Sequence, residues 1–274
     1  MNSFSITSPK SDAISASIRN MKENYFEDTL DLLRIAESAN LSPWHYNRVF
    51  KKIVGITPKK FLMALRILES KKLLIESDWT STDVCFEVGY NSLGSFTSKF
   101  SKEVGVSPNK FRKKKGYQTN TSFNEISYGE GDCGSVRGNI IVPKNFSGTI
   151  FLGAFTSDFP SGIPSSCCVI NTERDTEFLL HDLPIGNYHI FVAGFNHQVL
   201  SEGILTTQDF FRAKYDQNIM VNMNKQQISL QYDLELRPEK ETDPPLLTSL
   251  PHIYDKIIRI LNNSNFEETK VLSS

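Results

Sequence analysis

Slid against itself by fifty residues, the chain meets its own pattern. LSPWHYNRVFKKIVGITPKKF (41–61) aligns with NSLGSFTSKFSKEVGVSPNKF (91–111), with identities at Ser42/Ser92, Phe50/Phe100, Lys52/Lys102, Val54/Val104, Gly55/Gly105, Pro58/Pro108, Lys60/Lys110 and Phe61/Phe111. Each copy follows a short amphipathic stretch and a turn, Ala39-Asn40-Leu41 in one and Gly89-Tyr90-Asn91 in the other. A repeat of this length is one supersecondary unit used twice. Ser42 is a good N-cap with Pro43 at the first helical position, Gly55 ends that helix, and Thr57-Pro58 starts the next. Helix, short turn and capped second helix form a helix-turn-helix, and it occurs here in duplicate.

The periodicity around the repeat is helical throughout the first 115 residues. Apolar residues recur at i, i+3, i+4 in 14–26, 30–39, 43–54, 58–74, 82–88 and 93–104. This predicts an all-α domain of about six or seven helices over 14–115, after a tail at 1–13. Met63, Leu65, Ile67 and Leu68 are expected in its core. Residues 1–116 hold 19 Lys+Arg against 12 Asp+Glu, whereas 117–274 hold 11 against 19, so a net charge of −1 hides a basic half and an acidic one. A basic half suits a polyanion without saying which.

Past Gly116 the texture changes. Residues 116–134 read as a polar, glycine-bearing linker. Then come short runs rich in β-branched and aromatic residues at 135–143, 148–156, 166–171, 176–182, 186–195, 219–223 and 226–236, separated by Gly, Pro, Asn and Asp. Their spacing predicts an antiparallel β-sandwich over 135–240. TTQDFFRAKYDQ (206–217) reads as a helical insertion. The terminal region 241–274 carries a predicted helix at 250–263 with Ile253, Ile257, Ile260 and Leu261 on one stripe.

The helix at 43–54 has two faces. Tyr46, Val49, Phe50 and Ile53 supply an apolar seat, and Trp44, His45, Asn47, Arg48, Lys51 and Lys52 lie opposite. A helix that reads DNA needs this division. Arg48 can bond guanine in bidentate fashion, Asn47 can read adenine, and Trp44 can press on sugar or a thymine methyl. Lys51, Lys52, Lys59 and Lys60 are placed for phosphates, which fix register without reading sequence. The helix joining the copies, about 17 residues at ~1.5 Å each, spans roughly 25 Å. That is long enough to hold two reading helices near the ~34 Å between successive major grooves on one face of DNA. A merely solvated helix in an accessory domain is the plain alternative, and the duplicated turns argue against it.

These residues bring a family into view. Residues 14–115 resemble the double helix-turn-helix domain of the AraC/XylS family of bacterial transcription regulators. The resemblance is carried by 41–67, by LESKKLLIESDWTSTDVCFEVGYNS, and by FTSKFSKEVGVSPNKFRKKK with its Gly-x-Ser-Pro-x-x-Phe-Arg pattern from Gly105 to Arg112. It implies contact with two adjacent major grooves through 43–54 and 93–104, with Trp44, Asn47 and Arg48 at base-contacting positions. It further implies double-stranded promoter DNA and RNA polymerase as partners. In the second copy Gly94, Thr97 and Ser98 stand where the first has Trp44, Asn47 and Arg48. Sequence reading is therefore expected mainly from the first copy, with Ser92, Ser95, Thr97, Lys99 and Lys102 adding affinity. The domain also comes first in this chain, whereas many family members carry it last.

No apolar run reaches the length of a membrane span, and the N-terminus lacks signal-peptide character. Four cysteines without CxxC spacing fit a reduced, cytoplasmic setting. No nucleophile elbow, phosphate-binding loop, paired metal ligands or dinucleotide fingerprint occurs, so neither an enzyme nor a cofactor is expected. Cys167-Cys168 with His181, His189 and His197 could suggest a metal, but neighbours on a strand point to opposite faces, so only one cysteine could serve. FLLHDLPIGNYHIFVAGF (178–195) resembles the turn and strand of transthyretin-like and carboxypeptidase-regulatory-type sandwiches. Two roles for this half stay open. It could sense a small-molecule effector in a pocket lined by Phe210, Phe211 and Tyr215, or it could be an interaction module forming a homodimer. A different class of protein, an enzyme or scaffold using the double motif only for nucleic-acid localisation, would need catalytic groups in 117–274.

Overall fold

The computed structural model describes residues 9–27, 30, 32–113, 133–144, 146–172, 176–196, 210–222 and 227–250. They divide into two units. The helical unit holds the residues up to Glu103, then Ser107–Arg112 and, from far along the chain, Lys240–Leu247; the remainder belongs to the β unit.

Seven helices are described: α1 (Pro9–Asn24), α2 (Leu32–Ser38), α3 (Pro43–Val54), α4 (Pro58–Glu76), α5 (Ser81–Glu87), α6 (Leu93–Val104) and α7 (Pro108–Arg112). The region expected as a tail, 1–13, is already helical from Pro9. The duplication is visible in the packing. Tyr46 meets Phe50 at 5.5 Å and Phe50 meets Phe61 at 5.5 Å; fifty residues on, Phe96 meets Phe100 and Phe100 meets Phe111, each at 5.7 Å. These six rings are almost wholly buried, one ladder per copy. Gly55 and Gly105 end α3 and α6 at φ 90° and 91°, a left-handed conformation that glycine adopts without the Cβ clash of other residues.

Caps also account for the ends of α4 and the start of α5. Thr57 accepts from Lys60 N at 3.3 Å, and Thr80 forms a reciprocal capping box with Asp83. Arg112 donates to Ser77 O and Trp79 O, so the last residue of α7 closes the C-terminal end of α4. Arg66 ties three places together, donating to Tyr25 O (2.8 Å), Glu27 O (2.8 Å) and Gly89 O (2.9 Å). One guanidinium in mid-α4 thus joins the segment after α1 to the turn of the second motif.

The β unit contains β1 (Cys133–Ile141), β2 (Gly148–Phe155), β3 (Ser166–Asn171), β4 (Glu177–Pro184), β5 (Gly186–Asn196), β6 (Phe211–Lys214), β7 (Ile219–Val221), β8 (Gln227–Ser229), β9 (Leu234–Glu235) and β10 (Arg237–Pro238). One sheet runs β4-β1-β8 with β9 also on β1; the other runs β10-β6-β5-β2-β3 with β7 also on β5. The expected wholly antiparallel arrangement needs correction, because β1 pairs in parallel with both β8 and β9. The run at 226–236 is not one strand, and its two pieces both return to β1. The helical insertion expected at 206–217 is also corrected. Residues 206–209 lie outside the described residues, and 211–214 are strand β6, paired to β5. With Arg212 and Ala213 buried, that stretch satisfies its backbone in a ladder with β5 instead of in a helix. The helix expected at 250–263 lies, past Leu250, outside the described residues.

One apolar core is shared by both sheets, with Val136, Ile140 and Leu180 on one and Ile150, Leu152, Ile190 and Val192 on the other. The other face of β2 and β5 carries the rings of Phe151, Phe155, Phe191 and Phe195. Phe151 meets Phe195 at 5.9 Å, and Phe195 stacks on Phe210 at 5.3 Å. Because both faces of this sheet are covered, Cys167 and Cys168 are both buried despite pointing opposite ways.

Candidate nucleic-acid interface

In α3 the seat and the outward face separate as the sequence divides them, with one refinement. Tyr46 and Phe50 are fully buried, while Val49 and Ile53 are half-buried at the border. The Tyr46 hydroxyl donates to Ser17 Oγ at 2.9 Å, and burial pushes its phenol far above the ordinary value. A buried hydroxyl with a partner fixes the rotation of α3 about its axis.

Opposite that seat, Asn47, Arg48, Lys51 and Lys52 are exposed, His45 is half-buried, and Trp44 is 71% exposed. An indole left in water adds little to folding, because its area is not removed from solvent. The Arg48 guanidinium carbon lies 4.8 Å from the centre of the Trp44 ring. Stacking of this kind orders the arginine while leaving the edges of its planar donor fork available. The result is a pre-ordered aromatic–cation pair on the outer face of a helix rigidly seated beneath it.

In α6 the same positions are nearly bare. Ser92, Gly94, Ser95, Ser98 and Lys102 are exposed, and a Cβ on Gly94 would meet nothing within 4 Å. Ser92 caps the helix by accepting from Ser95 N at 3.2 Å. Thr97 is half-buried, and its carbonyl accepts from Ser101 Oγ. Lys99 is an ion-pair partner, 2.9 Å from the buried Glu103 carboxylate, so its ammonium serves the helix first.

A groove of about 850 Å³ runs beside α6, walled by Ser95, Ser98 and Lys102 on that helix and by Lys59 and Met63 on α4. Leu65, Ile67 and Leu68 are core as expected, but Met63 is half-buried and lines this groove. Sequence reasoning did not find it, because its walls come from separate helices with no common spacing. The two turns also differ. Asn40 (φ 52°) and Gly89 (φ 80°) are the left-handed residues of the first and second turns, yet α3 starts three residues after one and α6 four after the other. The additional residue is Tyr90, whose ring packs on Phe96 at 5.4 Å. Burial pushes its phenol up to about 12, and its hydroxyl is buried without a hydrogen-bond partner among the described residues.

The pocket expected from Phe210, Phe211 and Tyr215 takes another form. Phe210 is buried between Phe195 and the Arg212 guanidinium, Phe211 meets Phe146 at 5.0 Å, and Tyr215 packs on Tyr232 at 4.7 Å while accepting from Gln231 N. These rings are part of the β unit's packing. Among the described residues no cluster of His, Cys, Asp or Glu could hold a metal, and no helix is long and apolar enough to cross a membrane.

Comparison with known proteins places the duplicated motif. Residues 35–114 match a family described as a helix-turn-helix domain. The chain is 35% identical over 97 residues to the uncharacterised HTH-type transcriptional regulator YobQ of Bacillus subtilis (strain 168), covering 35% of this chain and 40% of that one. It is 36% identical over 78 residues to the probable transcription factor PqrA of Proteus vulgaris, covering 28% and 64%. Each match spans less than two thirds of the relative's own length. Among solved structures, the C-terminal domain of AraT, a response regulator from Geobacillus stearothermophilus, aligns over 42% of this chain and 95% of its own, at 26% identity and a TM-score of 0.38. Residues 35–114 are a helix-turn-helix domain, similar in sequence to those of bacterial transcription regulators.

Proposed function

We propose that the chain is a sequence-specific, DNA-binding transcription regulator that sets α3 and α6 into successive major grooves. The observation that carries this reading is the pair of aromatic ladders. Each seats a helix from one side, and the opposite face is left exposed among the described residues. On α3 that face holds Arg48 against Trp44, beside Asn47, Lys51 and Lys52. Arg48 reads guanine, Asn47 reads adenine, and the lysines hold phosphates. On α6, Gly94, Ser95 and Ser98 allow close backbone approach, and Lys102 with Lys59 across the groove meets the phosphates between the two sites. The first motif supplies most of the sequence discrimination and the second mainly affinity.

The β unit modulates this activity. Phe210, Phe211 and Tyr215 are engaged in packing, which favours an interaction role over an effector pocket at that place. Selection of bound sequences from a random DNA pool tests the whole reading. One strong block with a weaker one about a helical turn away supports it, and Arg48→Ala erases the strong block. Enrichment of nothing, with binding to every sequence falling equally as salt rises, would leave only nonspecific polyanion affinity.

A further inference from the structure

α1 and α4 are counterparts in the duplication, in a register that the fifty-residue offset conceals. Ser17 Oγ donates to Ile14 O and Ser70 Oγ donates to Ile67 O, both at 2.7 Å. Those bonds pair Ile14 with Ile67, Ser17 with Ser70, and Met21 with Leu74, and all six are completely buried. The same register sets Lys71 where the first copy has Ile18. Lys71 is 5% exposed. A buried ammonium is costly unless hydrogen-bonded, so its partners show what the exchange of isoleucine for lysine achieves.

Lys71 Nζ donates to Leu246 O (3.4 Å) and Leu247 O (3.3 Å) and lies 5.8 Å from the centre of the Phe111 ring. Its partners belong to Lys240–Leu247, the late segment that is part of the helical unit. A turn closes the start of this segment, with Asp243 accepting from Lys240 N at 2.7 Å and donating its own N–H to Lys240 O. Pro244 and Pro245 then hold the chain extended and without N–H groups of their own, which leaves carbonyls to present. Leu247 is completely buried, and Glu241 pairs with Arg19 of α1 at 2.9 Å.

We infer that the α1–α4 face is a docking site for an extended peptide, filled by Lys240–Leu247, and that its occupancy holds the two reading helices in their DNA-competent arrangement. This rests on the DNA-binding reading above. α4 joins the two motifs, so a segment held on α4 by Lys71 and on α1 by Arg19 stiffens the element that sets their spacing. The segment begins two residues after β10. A rearrangement of that last strand therefore draws on the docked segment through the covalent chain. Loss of docking loosens α1 and α4 and lowers DNA affinity.

The test uses the full-length protein and Leu247→Asp, which places a charge at a buried contact. Amide hydrogen exchange is followed along the chain, and affinity is measured for the best sequence from the DNA selection. Docking predicts exchange in α1 and α4 faster by about tenfold or more, β2 and β5 unchanged, and DNA affinity lower by about tenfold. A synthetic peptide of residues 240–250 added in excess restores both. Should Leu247→Asp not fold, Glu241→Lys opens an exposed pair and shifts both readouts in the same direction by a smaller factor. Unchanged exchange in α1 and α4 overturns the docking site, and faster exchange with unaltered DNA affinity overturns its link to competence. A wild-type protein that selects no sequence refutes the DNA reading alone, and the exchange comparison still decides the docking.

Discussion

The two helix-turn-helix motifs share a seat and differ at the surface. Tyr46, Phe50 and Phe61 in the first correspond to Phe96, Phe100 and Phe111 in the second, ring for ring and within a few tenths of an ångström in spacing. The outer face of the first carries Trp44, Asn47, Arg48 and Lys51, and that of the second Gly94, Thr97, Ser98 and Ser101. Packing density explains the contrast. A core position feels every methylene, whereas an outward position is constrained only by what it will touch. The copies diverge a second time underneath, where Lys71 replaces Ile18 and donates to the carbonyls of a late segment.

The comparison breaks first if the ladders are unequal. Phe50→Ala and Phe100→Ala should each cost about 3–5 kcal/mol and agree within about 1 kcal/mol, since each removes the middle ring of a matched trio. Urea unfolding of the full chain followed by helical circular dichroism measures both. A gap above about 2 kcal/mol would show that one motif leans on neighbours the other lacks.

Next in size is the buried lysine. Burial lowers the Lys71 pKa from 10.5 to about 8. Between those values the unfolded chain binds more protons than the folded one, so stability rises with pH. The penalty of holding the charged form is full below pH 8 and is relieved as pH climbs toward 10.5, a change of about 3 kcal/mol. Lys71→Ile, which copies the first motif into the second, should flatten this rise. Stability measured from pH 7 to 10 in wild type and variant decides it, and an equal slope in both would assign the effect elsewhere.

Smaller effects separate the outer faces. Arg48→Ala should cost about 1–3 kcal/mol of discrimination at one base pair, whereas Ser98→Ala at the matching position should change specificity by under about 0.5 kcal/mol. Quantitative binding to single-base variants of the selected site distinguishes them, and comparable losses would mean that the second motif reads sequence too. Smallest is Gly94→Ala. The new methyl meets open space, so helix stability should rise by up to about 1 kcal/mol. If DNA affinity falls while thermal stability rises, the bare surface of α6 is a place of close backbone approach.

Much of this molecule could be read from its residues. Pro43, Gly55 and Thr57-Pro58 act through their own backbone and caps, so α3 and the start of α4 lie where those residues predict, although Ser42 holds the N-cap position without a side-chain cap bond. Short runs rich in β-branched and aromatic residues, set between Gly, Pro, Asn and Asp, located β1 through β5 closely, although β2 is buried along its whole length and shows no alternation. Where sequence reasoning failed, the deciding partner was distant. Residues 211–214 pair with β5, and two short strands from a single apolar run lie parallel on β1. The ammonium of Lys99 looked available until Glu103, one turn away, proved to be its partner. The groove beside α6 belongs to no local pattern at all.

By itself, then, the sequence determined the duplicated motif, the bounds of α3 and the start of α4, and which face of α3 looks outward, because these follow from periodicities and caps acting within a few residues. Tertiary structure decided the register that matches α1 to α4, the additional turn residue at Tyr90, the parallel strands, and the late segment seated on Lys71. Each of these depends on which distant backbone carbonyls, N–H groups and apolar surfaces end up sharing one buried space, and no local spacing encodes that choice.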